Sequence, residues 1–200
     1  MPTPEIHYQR GIPDPLRRQA AQLYEAAFGP KFAVAIPTQA ARIDLLAQSM
    51  QLDFAFGAIR GDQLVGLAGF HTEDGSLTGG MGYGQLIASL GLFRGNWAAL
   101  VFSLYERRTT PGQLLMDGIS VHPEMRGQGI GGRLLAELFA FAAQAGYATI
   151  RLDVIDTNPG ARRLYERKGF VATKTDEFGY LRWLLGFGAS TTMIRNSRDL

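Results

Sequence analysis

The chain has 200 residues, 46% of them apolar and 19% charged, with 25 glycines and no cysteine. A chain of this size buries roughly 70% of the surface it exposes when unfolded, so it needs neither a disulfide nor a structural metal to hold a core. The missing thiols exclude a disulfide framework, a cysteine-based zinc or iron–sulfur site and a cysteinyl acyl-enzyme. Twenty basic against eighteen acidic residues leave a formal charge of +2, too small a surplus to make nucleic acid or an anionic membrane the principal partner. Met1 to Gly11 contains Pro2, Pro4 and Glu5 and no apolar run, so it does not read as a secretory signal, and a cytoplasmic protein is expected.

Ile6 to Arg10 is expected to be a first strand. Pro13 to Phe28 carries apolar residues at helical spacing (Leu16, Ala20, Leu23, Ala27) and is expected to end at Gly29-Pro30. A second helix starts near Pro37, where the missing N–H costs nothing, and ends near Met50. Phe54 to Arg60 and Gln63 to Phe70 flank Gly61-Asp62 and predict a β-hairpin. His71 to Gly84 is polar and glycine-rich, and Leu86 to Tyr105 is apolar and long enough to span a bilayer. Arg94 and Asn96 in its middle make a buried or partner-facing helix the better reading. Leu114 to Val121 reads as a strand, Gly129 to Ala145 as a helix, Thr149 to Ile155 as a strand and Asn158 to Lys168 as a helix ended by Gly169. Phe170 to Thr173 and Thr191 to Arg195 are the last two strands, joined by an aromatic connection from Phe178 to Ala189. The class is α/β.

Arg126-Gly127-Gln128-Gly129-Ile130-Gly131-Gly132 follows a strand and opens an amphipathic helix through Leu134, Leu135 and Leu138. Free N–H groups and the positive dipole end at such a helix start bind phosphate, and glycines let a ligand approach the backbone. A glycine-rich turn without a ligand is the competing reading. Gly127, Gly129 and Gly132 also fit the dinucleotide fingerprint, with Asp153 near the place of a ribose-binding acid. Against it stand the five residues between strand and first glycine, the strands preceding the motif, and the short chain remaining after it. No Gly-Lys-Ser or Gly-Lys-Thr is present, so it is not a Walker loop.

The segment Met116 to Gly131, MDGISVHPEMRGQGIG, and the later Asn158-x-x-Ala161-x-x-Leu164-Tyr165-x-x-x-Gly169-Phe170 together resemble the GNAT superfamily of N-acetyltransferases. Arg126, Gly129 and Gly131 match that family's Arg/Gln-x-x-Gly-x-Gly/Ala element, and the resemblance is strong over residues 114 to 173. It implies one GNAT domain over residues 1–200, with a mixed, mostly antiparallel sheet that splays between the fourth and fifth strands, helices flanking it, and an apolar helical insertion at about 74–112. It further implies acetyl-CoA as cosubstrate, its pyrophosphate on the amides of Gly127 to Gly132. Its pantetheine arm would pair with Ile119, Ser120 and Val121, and Asn158 would contact that arm or simply cap its helix. His122-Pro123 would end the ladder and redirect the chain.

The implied activity is transfer of an acetyl group to a primary amine by direct attack in a ternary complex, with a non-catalytic CoA-binding or regulatory module as the alternative. Tyr165, on one helical face with Asn158, matches the family's proton donor to the thiolate. Asp117 matches the acid of the polyamine-acetylating branch and is expected to share strand parity with Ile119 and Val121. Asp153 matches the base of the ribosomal-protein-acetylating branch. A structural acid held by a nearby arginine is the other reading of either residue. His7, His71 and His122 show no ligand spacing, so no metal is expected. Arg162, Arg163, Arg167 and Lys168 could meet the adenosine 3′-phosphate or form a solvated helix face. Leu86, Leu90, Phe93, Trp97, Leu100, Phe102 and Leu104 in the insertion would cover the acceptor site or make a dimer contact. Small amines, amino sugars and protein N-termini or lysines remain open as acceptors, with neither nucleic acid nor membrane as partner.

Overall fold

The computed structural model describes residues 4–103, 109–179, 182 and 186–199. Its strands are β1 (Ile6–Arg10), β2 (Ala55–Arg60), β3 (Gln63–Thr72), the two-residue β4 (Gly75–Ser76), β5 (Gln113–Val121), β6 (Thr149–Ile155), β7 (Val171–Glu177) and β8 (Ala189–Asn196). The helices are α1 (Arg17–Phe32), α2 (Gln39–Ser49), α3 (Tyr83–Leu90), α4 (Leu92–Ser103), α5 (Ile130–Gln144) and α6 (Pro159–Arg167). The strands form one sheet in the order β1-β2-β3-β5-β6-β8-β7, with β4 paired to β3. Among the described strands only β5 and β6 pair in parallel. A doubly wound dinucleotide fold, which requires a mostly parallel sheet, is thereby excluded.

Alternation sends Ile150, Leu152 and Val154 of β6 to one face, where they meet Leu134, Leu135 and Leu138 of α5. The other face carries α1 and α2, joined to the sheet through Ala20, Leu23, Leu46, Leu67 and Leu77. A smaller cluster of Ile36, Leu45, Leu86, Ala98 and Val101 fastens α3 and α4 to α2.

Two helix boundaries differ from the sequence expectation. α1 continues through Gly29-Pro30 to Phe32. Phe32 meets Phe102 of α4 edge-on at a centroid distance of 5.2 Å, and this tertiary packing offsets the lost N–H of a proline. The apolar stretch after Leu86 is two helices, because Gly91 stands at φ 77° between them. Gly95 brings the two together: a β-carbon there would lie 2.8 Å from Ile87 Cδ1 and 2.9 Å from Leu86 O. No helix among the described residues is long and apolar enough to cross a membrane. Leu104 and Tyr105, along with part of the aromatic connection after Phe178, lie outside the described residues.

A buried ion pair joins α1 to α2. Arg42 donates from Nε (3.0 Å) and Nη2 (2.7 Å) to Glu25 Oε1, and from Nη1 to Ile36 O and Pro37 O. The side chains are only 10% and 4% exposed. Removing one member strands the other charge in the core, so Arg42→Ala is expected to lower unfolding free energy by about 3–5 kcal/mol, measured by urea denaturation.

Candidate active site

β5 and β6 pair only at Gln113–Thr149, Leu114–Ile150 and Leu115–Arg151. Beyond Leu115, β5 remains bonded to β3 as far as Val121, and β6 to β8 as far as Ile155. The strands therefore part, leaving facing edges whose main-chain groups lack the ladder a neighbouring strand would supply. The chain then turns through His122 and Pro123, and Gly127 (φ 78°) and Gly129 (φ 80°) bring it into α5.

Those positive φ values explain both glycines. No side chain caps α5 at Gly129, and a β-carbon on Gly127 or Gly129 would meet nothing within 4 Å. The first N–H groups of α5 lack intrahelical acceptors, and the dipole adds positive potential. The result is an open anion cradle. Arg126 Nε donates to Val121 O at 3.2 Å, closing the loop onto the end of β5, and Gln128 Nε2 reaches Glu124 O at 3.4 Å. Ile130 is buried in the core beneath the cradle, so it offers a ligand main chain only. A β-carbon on Gly132 would lie 3.6 Å from Lys168 Nζ. Of the basic run, Lys168 thus stands against the cradle, while Arg162 is paired with Glu166 at 3.0 Å.

A family model, the acetyltransferase (GNAT) family, matches residues 19–170. This chain belongs to the GNAT family. Probable N-acetyltransferase family 8 member 5 of Mus musculus is 36% identical over 76 residues, covering 38% of this chain and 34% of that protein. An N-acetyltransferase of Schizosaccharomyces pombe is 38% identical over 64 residues, covering 32% and 39%. The chain thus spans little more than a third of the length of these relatives. A solved acetyltransferase structure superposes with a TM-score of 0.64 at 20% identity, over 96% of this chain and 100% of the other. The ribosomal-protein-S18-alanine N-acetyltransferase from Escherichia coli gives 0.57 at 15% identity, over 98% and 99%. These two structures speak for the GNAT fold.

The aspartates differ in their surroundings. The β3–β5 register passes from Gly69–Gly118 to Phe70–Met116, so Asp117 is an extra, bulged residue. Met116, Ile119 and Val121 belong to the α5 side. On the opposite face, Ser120 Oγ donates to Leu23 O of α1 at 2.9 Å, and a β-carbon on Gly118 would strike the Phe28 ring. Asp117 points to this second face with Gly118, accepting from Thr78 Oγ1 at 3.0 Å. The expected shared parity of Asp117 with Ile119 and Val121 is therefore wrong: the bulge reverses it. Asp153 lies on the second face too, because its neighbours Leu152 and Val154 fill the first. Its carboxylate accepts from Thr192 Oγ1 at 2.6 Å and from Arg151 Nη2 at 3.3 Å.

Tyr165 is 6% exposed in the α5-side core and meets Phe170 edge-on at 5.9 Å. Asn158 caps α6, its Oδ1 accepting from Ala161 N at 3.1 Å. Nearby, Arg195 lies over the Phe139 ring at 4.1 Å, and burial lowers its pKa against an opposing pull from Asp199. Among the described residues no group of three or more His, Asp or Glu side chains is gathered as for a metal.

A cavity of about 520 Å³ opens on the second face. Asp117, Leu115 and His71 form its sheet wall, Tyr24, Phe28 and Phe32 come from α1, and α3 and α4 supply the outer wall. No sequence pattern marked it, since its lining comes from α1, β3, β4 and the connection after it, α3, α4 and β5. His71, next to the last residue of β3, sits in that wall.

Asn158 contributes a cap whatever else it does. Asn158→Ala is expected to cost about 1 kcal/mol, or roughly 2–4 °C of Tm for a chain of this size, read by thermal melting.

Proposed function

We propose that the chain transfers an acetyl group from acetyl-CoA to a primary amine by direct attack within a ternary complex. One observation carries the reading: the β5 and β6 edges separate beyond Leu115 on the way to an uncapped, glycine-opened helix start. An extended ligand with amide groups suits main-chain partners at Ile119, Ser120 and Val121. A diphosphate suits the N–H groups of Gly127, Gln128, Gly129, Ile130, Gly131 and Gly132, with Arg126 bracing the loop and the Lys168 ammonium alongside. Acetyl-CoA, when bound, supplies an activated acyl group. Asn158 caps α6 through its Oδ1, and its side-chain NH2 is proposed to contact the pantetheine arm.

An amine with a pKa near 10 is protonated at neutral pH and must lose a proton to attack. Asp117 suits this task, because it faces the cavity and its one hydrogen bond among those described is from Thr78. Asp153 suits it less. Its carboxylate is already engaged by hydrogen bonds from Arg151 and Thr192. As the new C–N bond forms, the C–S bond breaks and the departing sulfur takes a proton. Tyr165 is the proposed donor, a phenol whose O–H can hydrogen-bond the sulfur as negative charge develops and pass it a proton as the C–S bond breaks. The lack of cysteine agrees with direct attack.

The test is thiol release from acetyl-CoA with a panel of amines, for which a cysteine-free protein gives no background. Asp117→Asn is expected to lower kcat by about 10²–10⁴ with CoA affinity retained, whereas Asp153→Asn retains most turnover. Tyr165→Phe should lower kcat and spare CoA binding. Gly129→Val, which forces a branched residue to φ near 80°, should weaken CoA binding in calorimetry at least about tenfold, roughly 1.4 kcal/mol. CoA binding without thiol release on any amine would favour the non-catalytic module; no CoA binding would overturn both.

A further inference from the structure

Resting on the transferase reading, we infer that the acceptor is a monoamine carrying an aromatic or comparably bulky apolar body, bound in the cavity between α1 and the α3–α4 pair with its ammonium at Asp117. The cavity lies at the place where transfer would occur. Leu115, the last β5 residue paired to β6, and Asp117, two residues into the parted stretch, both line it. Its volume of about 520 Å³ falls in the range of small-molecule sites, roughly 300–1,000 Å³.

The lining sets the chemistry. Among the described lining residues Asp117 is the one carboxylate and no lysine or arginine is present. Phe28 and Tyr24 pack at 4.6 Å, Phe32 and Phe102 edge-on at 5.2 Å, and Met81 and Leu86 add apolar surface, while Ser76, Thr78, Tyr83 and Ser103 bring hydroxyls to the wall. Such a site places one cation at one end and apolar surface at the other; ring faces also attract an ammonium. A polyamine would bring further ammonium groups to a site whose described lining holds one carboxylate, and an amino sugar, though it could meet the hydroxyls of Ser76, Thr78 and Ser103, would also set polar surface against rings. Specificity is then carried by α3 and α4, whose Tyr83, Leu86, Ala99 and Phe102 form the outer wall.

The experiment compares kcat/KM for tryptamine, 2-phenylethylamine, spermidine, glucosamine and an alanine-initiated peptide, with CoA binding measured separately by calorimetry. The arylalkyl amines are expected to exceed the other three at least tenfold. Ala99→Trp, which fills the cavity from α4, should raise KM for tryptamine at least tenfold while CoA affinity and the melting temperature hold. Phe28→Ala should raise the same KM by removing an aromatic wall. A chain that binds CoA yet prefers spermidine, glucosamine or the peptide, or turns over no arylalkyl amine, overturns the acceptor assignment and leaves the cosubstrate reading intact. An unchanged tryptamine KM in folded Ala99→Trp overturns it as well. Failure to bind CoA at all removes the transferase reading, and the acceptor assignment with it.

Discussion

The structure turns on the parting of β5 from β6 after Leu115. Up to that point the two strands satisfy one another in parallel register; beyond it each keeps only its outer neighbour. Backbone N–H and C=O groups in a sheet are obligatory hydrogen-bonding groups, and edges without a strand partner call for another. The fold tolerates the opening because β5 stays anchored to β3, β6 to β8, and α5 spans β1, β2, β3, β5 and β6 beneath it. The same opening leads straight to the start of α5, where two positive-φ glycines and an unused helix terminus continue the supply of main-chain donors.

A second constraint is the single extra residue at Asp117. Without a bulge, strand alternation would place its carboxylate with Ile119 and Val121 against α5. The register shift opposite Gly69 and Phe70 turns it to the α1 side, beside Thr78 and the aromatic cavity. The two sides of the parted strands thus have different chemistry: main-chain donors and Lys168 at the α5 end, and Asp117 with aromatic rings and a few hydroxyls towards α1, α3 and α4. Gly118, next in sequence, can lack a side chain for a physical reason, because the Phe28 ring occupies that space.

The α3–α4 segment has two unlike faces. Leu86 and Ala98 are buried, while Leu92, Phe93, Trp97 and Leu100 are exposed, Phe93 to 90%. One face therefore explains part of the apolar excess noted in the sequence by closing the cavity and packing against α2. The rest remains on the outer surface.

The local signals in the chain were sufficient for the strands flanking the glycine cluster, the helix from Ile130, and the cap at Asn158, because alternation, 3.6-residue periodicity and capping are properties of neighbouring residues. The family resemblance, carried by Arg126, Gly129, Gly131, Asn158 and Tyr165, supplied the expectation of a splayed sheet. The sequence did not contain a local sign of the Asp117 bulge, of the extra turn of α1 held by Phe102, or of the cavity. These depend on the β3 register and on packing between segments as distant as Phe32 and Phe102. What the sequence by itself determined is therefore the order of the elements outside the segment between β3 and β5, and the glycine-opened helix start; tertiary structure alone decided which way Asp117 faces and which rings surround it, because one unpaired residue reverses side-chain direction and only long-range packing brings elements from Tyr24 to Asp117 around one space.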